Sequence, residues 1–162
     1  MDNAIAPKEI FSRLIQVGVI VRDLDRALEN YARLLGIESF RISKYPPDDE
    51  PNCERTYMGK SGNFSAKFCF FDYGNIELEL IQPLSGENIW DDFLKVQGDI
   101  CIHHLKYLVK DHAQVEEHFK KLGVEKIQSG ASVGINKGRS WAFYDTMDAL
   151  GFYTEVMNER PQ

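Results

Sequence analysis

Several side chains that could bind a cation or transfer a proton lie in segments that otherwise read as β-strands. His103 and His104 stand side by side in IHHLKYLVKD, and Gln16 occupies the corresponding place in the earlier segment IQVGVIVRD. Two carboxylates, Glu79 in NIELELIQ and Glu155 in GFYTEVMN, lie in further strand-like segments. Imidazole and carboxylate groups are the usual proton-transfer groups of enzymes, and both bind metal ions. Whether these side chains can act together depends on the faces of the strands that carry them.

Side chains alternate between the two faces of a strand, so the sequence indicates which polar residues share a face. The apolar residues of each predicted strand define a core side. The opposite faces carry Gln16, Gly18, Glu77, Glu79, His104, Lys106, Tyr153, Glu155 and Met157. His103 is predicted to point to the core side, away from His104, and to bond to backbone or to a helix side chain. An antiparallel sheet with one solvated face shows the same alternation, so parity alone leaves a functional cleft and a solvated surface both open.

The chain contains an internal repeat that predicts how these strands are arranged. The segment QVGVIVRDLDRALENYARLLG resembles HLKYLVKDHAQVEEHFKKLG in its strand, its acidic residue before a helix and its closing glycine. Asp23 and Asp111 are suited to cap the two helices, and Gly36 and Gly123 to end them. Three strand-like runs follow each helix. The order βαβββ, twice, predicts an α+β fold in which two modules form a curved eight-stranded cleft with helices outside.

The predicted boundaries place one domain over residues 1–162. The first module covers residues 12–85, a linking helix residues 86–99 and the second module residues 100–158. The proline-rich, polar stretch at 46–64 is predicted to be a mobile loop that influences which substrate is taken.

Composition excludes several classes of function. A chain of 162 residues with 43% apolar residues is long enough to bury a core, and its net charge of −6 without basic runs disfavours nucleic acid and membrane as partners. No secretory signal and no membrane span is recognisable. The three cysteines are widely spaced, which indicates reduced thiols and a cytoplasmic protein.

The repeat and four of its strands resemble the vicinal oxygen chelate superfamily, which includes glyoxalase I, methylmalonyl-CoA epimerase, extradiol dioxygenases and bleomycin-resistance proteins. The resemblance rests on LIQVGVIVRDLDRALENYARLLG, IELELIQPLSG, IHHLKYLVKD and GFYTEVM, in that order along nearly the whole chain. In that superfamily the first and last strands of each module supply metal ligands. The resemblance therefore implies a divalent metal ion held by Gln16, Glu79, His104 and Glu155.

The implied ligand set has a definite chemistry. One amide oxygen, one imidazole nitrogen and two carboxylates suit a divalent ion, with Zn²⁺ favoured and Ni²⁺, Co²⁺ or Mn²⁺ possible alternatives. By resemblance to glyoxalase I, Glu155 is the expected catalytic base and a ligand, and Glu79 is the symmetry-related second candidate. Gln16 replaces one of the two histidines of extradiol dioxygenases, which argues against that activity.

Three further side chains share the polar face and are predicted to contact substrate: Lys106, Tyr153 and Met157. Tyr153 and Met157 are expected to line the pocket. Lys106 has two interpretations, since its ammonium could bind an anionic or thioester group of a substrate, or could form an ion pair with Glu77.

The resemblance implies a metal-dependent lyase or isomerase of the glyoxalase I (lactoylglutathione lyase)-like group. Such an enzyme would move a proton at a carbon next to a carbonyl through a metal-bound enolate. Two alternatives remain: a methylmalonyl-CoA epimerase, and a non-catalytic, antibiotic-binding protein of the same fold. The expected partners are a small carbonyl or acyl-thioester substrate and, as a possible assembly, a homodimer.

Overall fold

The computed structural model describes residues 10–160, which form ten strands and four helices. The first half contains β1 (Phe11–Ile20), α1 (Leu24–Leu35), β2 (Arg41–Tyr45), β3 (Arg55–Tyr57), β4 (Lys60–Ser61), β5 (Ser65–Tyr73) and β6 (Ile76–Ser85). The second half contains α2 (Ile89–Gln97), β7 (Cys101–Val109), α3 (His112–Lys121), β8 (Lys126–Ala131), β9 (Ser140–Tyr144), α4 (Met147–Leu150) and β10 (Tyr153–Asn158).

All ten strands belong to one curled mixed sheet with the order β2-β5-β6-β1-β7-β10-β9-β8-β3-β4. The first strands of the two halves, β1 and β7, pair antiparallel at its centre. Each of them pairs in parallel with the last strand of its own half, β6 or β10. The predicted α+β class is confirmed, and the four strands that carry the candidate ligands lie next to one another.

The sheet has ten strands rather than the predicted eight because the segment at 46–64 is not a free loop. It contains the hairpin β3–β4, and β3 crosses to the other half of the molecule to pair with β8. The Tyr45 hydroxyl donates to the Ala131 carbonyl oxygen at 3.1 Å. The guanidinium of Arg55, which is buried, donates to the Pro51 and Cys53 carbonyls. We call residues 46–64 the strap, because they tie the first half to the edge of the second.

Helices α1 and α3 cover the outer face of the sheet, as predicted. Asp23 and Asp111 cap them, each accepting a hydrogen bond from a backbone N–H of the first turn. Under α1 lie Val19, Val21, Cys69, Phe71 and Leu80. Under α3, against its own Val115, lie Val109, Ala142, Tyr144 and Val156. None of the helices in residues 10–160 is both long and apolar enough to cross a membrane.

The linking helix α2 packs on the inner face instead, where it closes one end of the sheet. Its residues Ile89, Trp90, Phe93 and Leu94 join a core that includes Ile20, Ile81, Trp141, Phe143 and Phe64 of the strap. The Phe64 side chain is fully buried, and its ring lies 5.5 Å from that of Trp90. The strap and α2 therefore close one end of a cleft on the inner face, and the rest of the cleft is open.

This packing predicts that the strap is part of the stable core. Phe64→Ala should lower the free energy of unfolding by about 3–5 kcal/mol, because it leaves a cavity between aromatic rings. Ile135→Ala, at a side chain that is 86% exposed, serves as the control and should change the free energy little. Chemical denaturation measures both. Equal stability of the two variants would show that the strap contributes no core.

Candidate metal centre

The inner face of the sheet forms a cleft of about 750 Å³. Its floor contains residues from the central strands. The apolar part of its lining includes Phe68, Phe70, Trp90, Trp141, Phe143 and Met157, and charged and polar side chains make up about half of the lining residues. A concave cleft of this size that combines aromatic surface with convergent polar groups suits a small molecule.

Three of the four candidate ligands meet on the cleft floor. The Nε2 atom of His104 lies 3.2 Å from Oε2 of Glu79 and 3.0 Å from Oε2 of Glu155. One ligand atom from each of the three residues can be chosen such that all lie within 4.8 Å of one another, and all three side chains are buried. Strands β6, β7 and β10 each supply one of them, so the site needs the pairing of both halves.

Gln16, the fourth candidate, lies on β1 beside these strands and is also buried. Its Nε2 donates to Oε1 of Glu77 at 2.5 Å, and Glu77 also accepts from Arg41 at 2.6 Å. Because the amide nitrogen is held by Glu77, the amide oxygen must point elsewhere. That oxygen is buried and has no hydrogen-bond partner among residues 10–160.

The donor atoms fit a divalent cation. Within residues 10–160, no hydrogen bond reaches Gln16 Oε1, His104 Nε2 or Glu155 Oε2, although all three atoms are buried. Ligand atoms about 2.1 Å from an ion and at right angles to each other lie about 3.0 Å apart, close to the separations found around His104. Buried, unpaired atoms of this kind are costly unless something binds them. The group is therefore suited to hold an ion.

Electrostatics around His104 reflect its two carboxylate neighbours. Burial lowers the pKa of this imidazole, but Glu155 and Glu79 outweigh burial and raise its pKa above the usual value of 6.5. Burial acts to raise the pKa of Glu155, yet Lys106 and His104 lower it overall. The two carboxylates beside Nε2 thus favour positive charge at this place, which a divalent ion would supply.

Lys106 forms its salt bridge with Glu155, not with Glu77. Its Nζ lies 3.2 Å from Oε1 of Glu155, and the residue is only 5% exposed. Burial acts to lower the pKa of Lys106, but Glu155 and Glu79 raise it overall, so the ammonium is charged at neutral pH. The expected pair with Glu77 is wrong because Glu77 is taken up by Gln16 and Arg41.

Alternation predicts that the side chains of His103 and His104 point in opposite directions. The structure shows that they do not. Gly18 pairs with His104 and Val19 with Ile102, so His103 is the extra residue of a β-bulge. The bulge interrupts the alternation, and both imidazoles lie on the inner face, packed against Phe143 of its core. Nδ1 of His103 lies 2.9 Å from Nδ1 of His104, rather than bonding to a helix side chain.

The other two residues predicted to contact substrate take different places. Met157 lines the cleft. Tyr153 lies outside the cleft lining and packs against the rings of His103 and Phe93, with centroids 4.8 and 6.3 Å away. Tyr153 therefore contacts the buried imidazole of His103 and not the cleft.

The sequence interpretation missed two residues that shape the site. Arg41, on the inner face of β2, holds Glu77 and so indirectly orients Gln16. Gly18 faces the His104 imidazole across the β1–β7 pair, and a Cβ atom there would overlap the ring. A glycine inside an otherwise apolar strand, opposite the second histidine, was the available signal for such a close approach.

The sequence profile of the Glyoxalase/Bleomycin resistance protein/Dioxygenase superfamily matches residues 15–143. No curated protein matches the sequence. Solved structures with a similar fold include a methylmalonyl-CoA epimerase from Mycobacterium tuberculosis, with a TM-score of 0.62 and 21% identity over 98% of this chain and 95% of that one.

Two further structures have similar scores. A Streptomyces coelicolor methylmalonyl-CoA epimerase variant in complex with 2-nitronate-propionyl-CoA has a TM-score of 0.62 and 19% identity over 93% of this chain and 99% of that one. A hypothetical protein from Bacillus halodurans has a TM-score of 0.61 and 22% identity over 93% and 96%. At these identities the likeness establishes the fold and leaves the reaction open.

The contact between Gly18 and His104 gives a first prediction for the site. Gly18→Ala should displace the imidazole, lower the free energy of unfolding by about 1–3 kcal/mol and weaken binding of Zn²⁺. Denaturation and competition with a chromophoric chelator measure the two effects. Ser61→Ala, on the exposed strand β4, is the control. Unchanged stability and Zn²⁺ binding in Gly18→Ala would contradict the close packing of the ring.

The raised pKa of His104 gives a second prediction. Only the neutral imidazole binds a metal ion, so Zn²⁺ binding should release about one proton when the pH lies below this pKa. Because the pKa is raised, affinity should begin to fall at a higher pH than for an ordinary histidine, and then about tenfold per pH unit. Calorimetry in buffers of different ionisation enthalpy measures the protons released. His118→Gln, outside the cleft, should behave as the wild type, and Zn²⁺ binding without proton release would contradict the assignment.

Proposed function

Because the chain belongs to the glyoxalase/bleomycin resistance protein/dioxygenase superfamily, we propose that it is a metal-dependent lyase or isomerase of the glyoxalase I-like group. It would move a proton at a carbon next to a carbonyl. One observation carries this proposal: Glu79, His104 and Glu155 converge within 4.8 Å on the buried floor of a cleft. Gln16 adds a buried amide oxygen without a hydrogen-bond partner in residues 10–160.

Gln16, Glu79, His104 and Glu155 would hold the ion, with Zn²⁺ favoured and Ni²⁺, Co²⁺ or Mn²⁺ alternatives by ligand type. A divalent ion in this place supplies Lewis-acid stabilisation of negative charge on a substrate carbonyl oxygen. The two glutamates balance the charge of a dication, and Gln16 and neutral His104 add none.

Glu155 is the proposed proton carrier. Its lowered pKa keeps the carboxylate deprotonated at neutral pH, the form that accepts a proton from carbon. Lys106 holds Oε1 of this carboxylate at 3.2 Å and so fixes its orientation. Glu79 lies on the other side of His104 and is the second candidate. Two carboxylates within one buried site could remove a proton from a substrate and return it.

The cleft also indicates what kind of substrate fits. The Lys106 ammonium has three N–H donors besides forming its salt bridge with Glu155, so a substrate carboxylate or thioester oxygen would find a buried cationic partner. The aromatic lining, in which Phe68 and Phe70 lie parallel with centroids 6.0 Å apart, would contact the apolar part of the molecule. These features favour a small, anionic carbonyl compound or acyl thioester.

A methylmalonyl-CoA epimerase is the second candidate. Support comes from the solved structures of similar fold, one of which contains an acyl-CoA analogue. Exposed basic residues on the cleft rim, Arg13, Lys44 and Lys137, could contact the phosphates of such a substrate. The third candidate is a binding protein without catalysis, which would need no ion. Purified protein that contains far less than one equivalent of transition metal, and that is unaffected by a chelator, would favour this candidate.

The decisive experiment follows solvent-deuterium incorporation at the α-carbon. Methylmalonyl-CoA and the hemithioacetal of methylglyoxal and glutathione serve as substrates, and turnover of one of them separates the two enzyme candidates. Glu155→Gln should reduce exchange by about 10²–10⁴-fold, because its amide cannot accept the proton.

Metal content is measured for every variant, so that loss of the ion is not mistaken for loss of the base. Lys95→Gln, on the exposed side of α2, should exchange as the wild type does. Near-normal exchange in metal-loaded Glu155→Gln, with loss of exchange in Glu79→Gln, would reject Glu155 as the base. A metal-loaded wild type that turns over neither substrate would require other acyl thioesters and 2-oxo compounds to be tested by the same exchange assay.

A further inference from the structure

His103 is a fully buried imidazole that the proposed chemistry does not use. It is the extra residue of the bulge in β7, and its ring stands almost perpendicular to that of His104, at 88°. The two Nδ1 atoms lie 2.9 Å apart, so they share one hydrogen. Three aromatic rings enclose His103: those of Phe93, Phe143 and Tyr153. The imidazole is therefore held in place and its contact with His104 is specific.

The direction of this hydrogen bond follows from the surroundings of His104. Its Nε2 faces two carboxylates, and it is the atom that would bind an ion. A neutral imidazole that offers the Nε2 lone pair carries its proton on Nδ1. A doubly protonated imidazole between two carboxylates also carries a proton on Nδ1. In both of these forms Nδ1 of His104 is the donor and Nδ1 of His103 is the acceptor. The remaining form, a neutral ring with its hydrogen on Nε2, would reverse the bond but could not offer Nε2 to a metal ion.

The environment of His103 agrees with the role of acceptor. The ring is fully buried among aromatic side chains, where a neutral imidazole is favoured over a charged one. Its own proton then lies on Nε2, away from His104. That Nε2 atom is buried and has no hydrogen-bond partner within residues 10–160.

We propose that His103 is a positioning residue, which accepts the Nδ1 hydrogen of His104 and so fixes the tautomer in which Nε2 of His104 can bind a metal ion. The inference rests on the metal centre proposed above and extends it to the atom that orients one ligand. Glu77 orients Gln16 in a similar way. It accepts a hydrogen bond from the amide nitrogen of Gln16 and leaves the amide oxygen without a partner in residues 10–160. Each of the two neutral ligands thus has a neighbour that determines which of its atoms faces the ion.

The first test uses two substitutions in the full chain. His103→Asn keeps an acceptor, because its Oδ1 lies close to the position of the imidazole Nδ1. His103→Leu has a similar bulk but no acceptor. Competition titrations with Zn²⁺ and Co²⁺ should show affinity reduced by about 10–100-fold in the Leu variant and largely restored in the Asn variant. Equal affinity of the Leu variant and the wild type would overturn the proposal.

The second test reads the tautomers directly and needs neither metal nor activity. In ion-free wild-type protein with ¹⁵N-labelled histidine, NMR should find a proton on Nδ1 of His104 and on Nε2 of His103. A proton on Nδ1 of His103, with Nδ1 of His104 as the acceptor, would overturn the proposal even if the Leu variant fails to fold. The two failures are distinguishable. Expected tautomers in a protein that binds none of Zn²⁺, Ni²⁺, Co²⁺ and Mn²⁺ would reject the metal centre but retain the hydrogen bond. Tight binding of one of these ions with reversed tautomers would reject only the role of His103.

Discussion

The burial of two carboxylates at the centre of the sheet is the constraint on which the rest of the site depends. Glu79 and Glu155 are each about 3% exposed, and an isolated buried carboxylate is strongly unfavourable. Nearby groups compensate this negative charge. His104 lies between the two carboxylates, and Lys106 forms a salt bridge with Oε1 of Glu155. A divalent ion would neutralise the same two negative charges. Metal binding and the burial of these carboxylates in the folded core therefore favour each other.

The two halves have diverged where they meet this constraint. Gln16 and His104 occupy corresponding positions on the first strands, and Glu79 and Glu155 occupy corresponding positions on the last. Two residues further along the first strands, however, one half has Gly18 and the other Lys106. The glycine leaves room for the imidazole, whereas the lysine places a buried positive charge beside one carboxylate only. A duplicated and nearly symmetric set of ligands has thereby become a site with two chemically different sides.

Much of this arrangement could be predicted from the sequence, because strand alternation and the repeat are local signals. Alternation assigned Glu79, His104 and Glu155 to one face, and the repeat placed their strands side by side. Alternation failed at His103, because a bulge depends on how β7 pairs with β1 and leaves no local signature in IHHLKYLVKD. It also could not identify the partner of Lys106, since Glu77 and Glu155 share its face and only the three-dimensional register decides between them.

The strap failed as a sequence prediction for a different reason. Its prolines and charged residues are typical of a loop, whereas Phe64 and Arg55 become buried only through contacts with distant parts of the chain. Composition reports the average polarity of a segment, and a few anchoring side chains are enough to order it. The pairing of β3 with β8 is a contact between residues more than seventy positions apart in the chain, such as Thr56 and Ser129.

The path of the strap has a consequence for how the molecule can move and assemble. Residues of the first half form part of the sheet edge of the second half. A hinge motion that separates the two halves would therefore break the β3–β8 ladder. The β3–β8 ladder therefore restricts widening of the cleft, and the three ligands that meet on its floor come from both halves of this one chain.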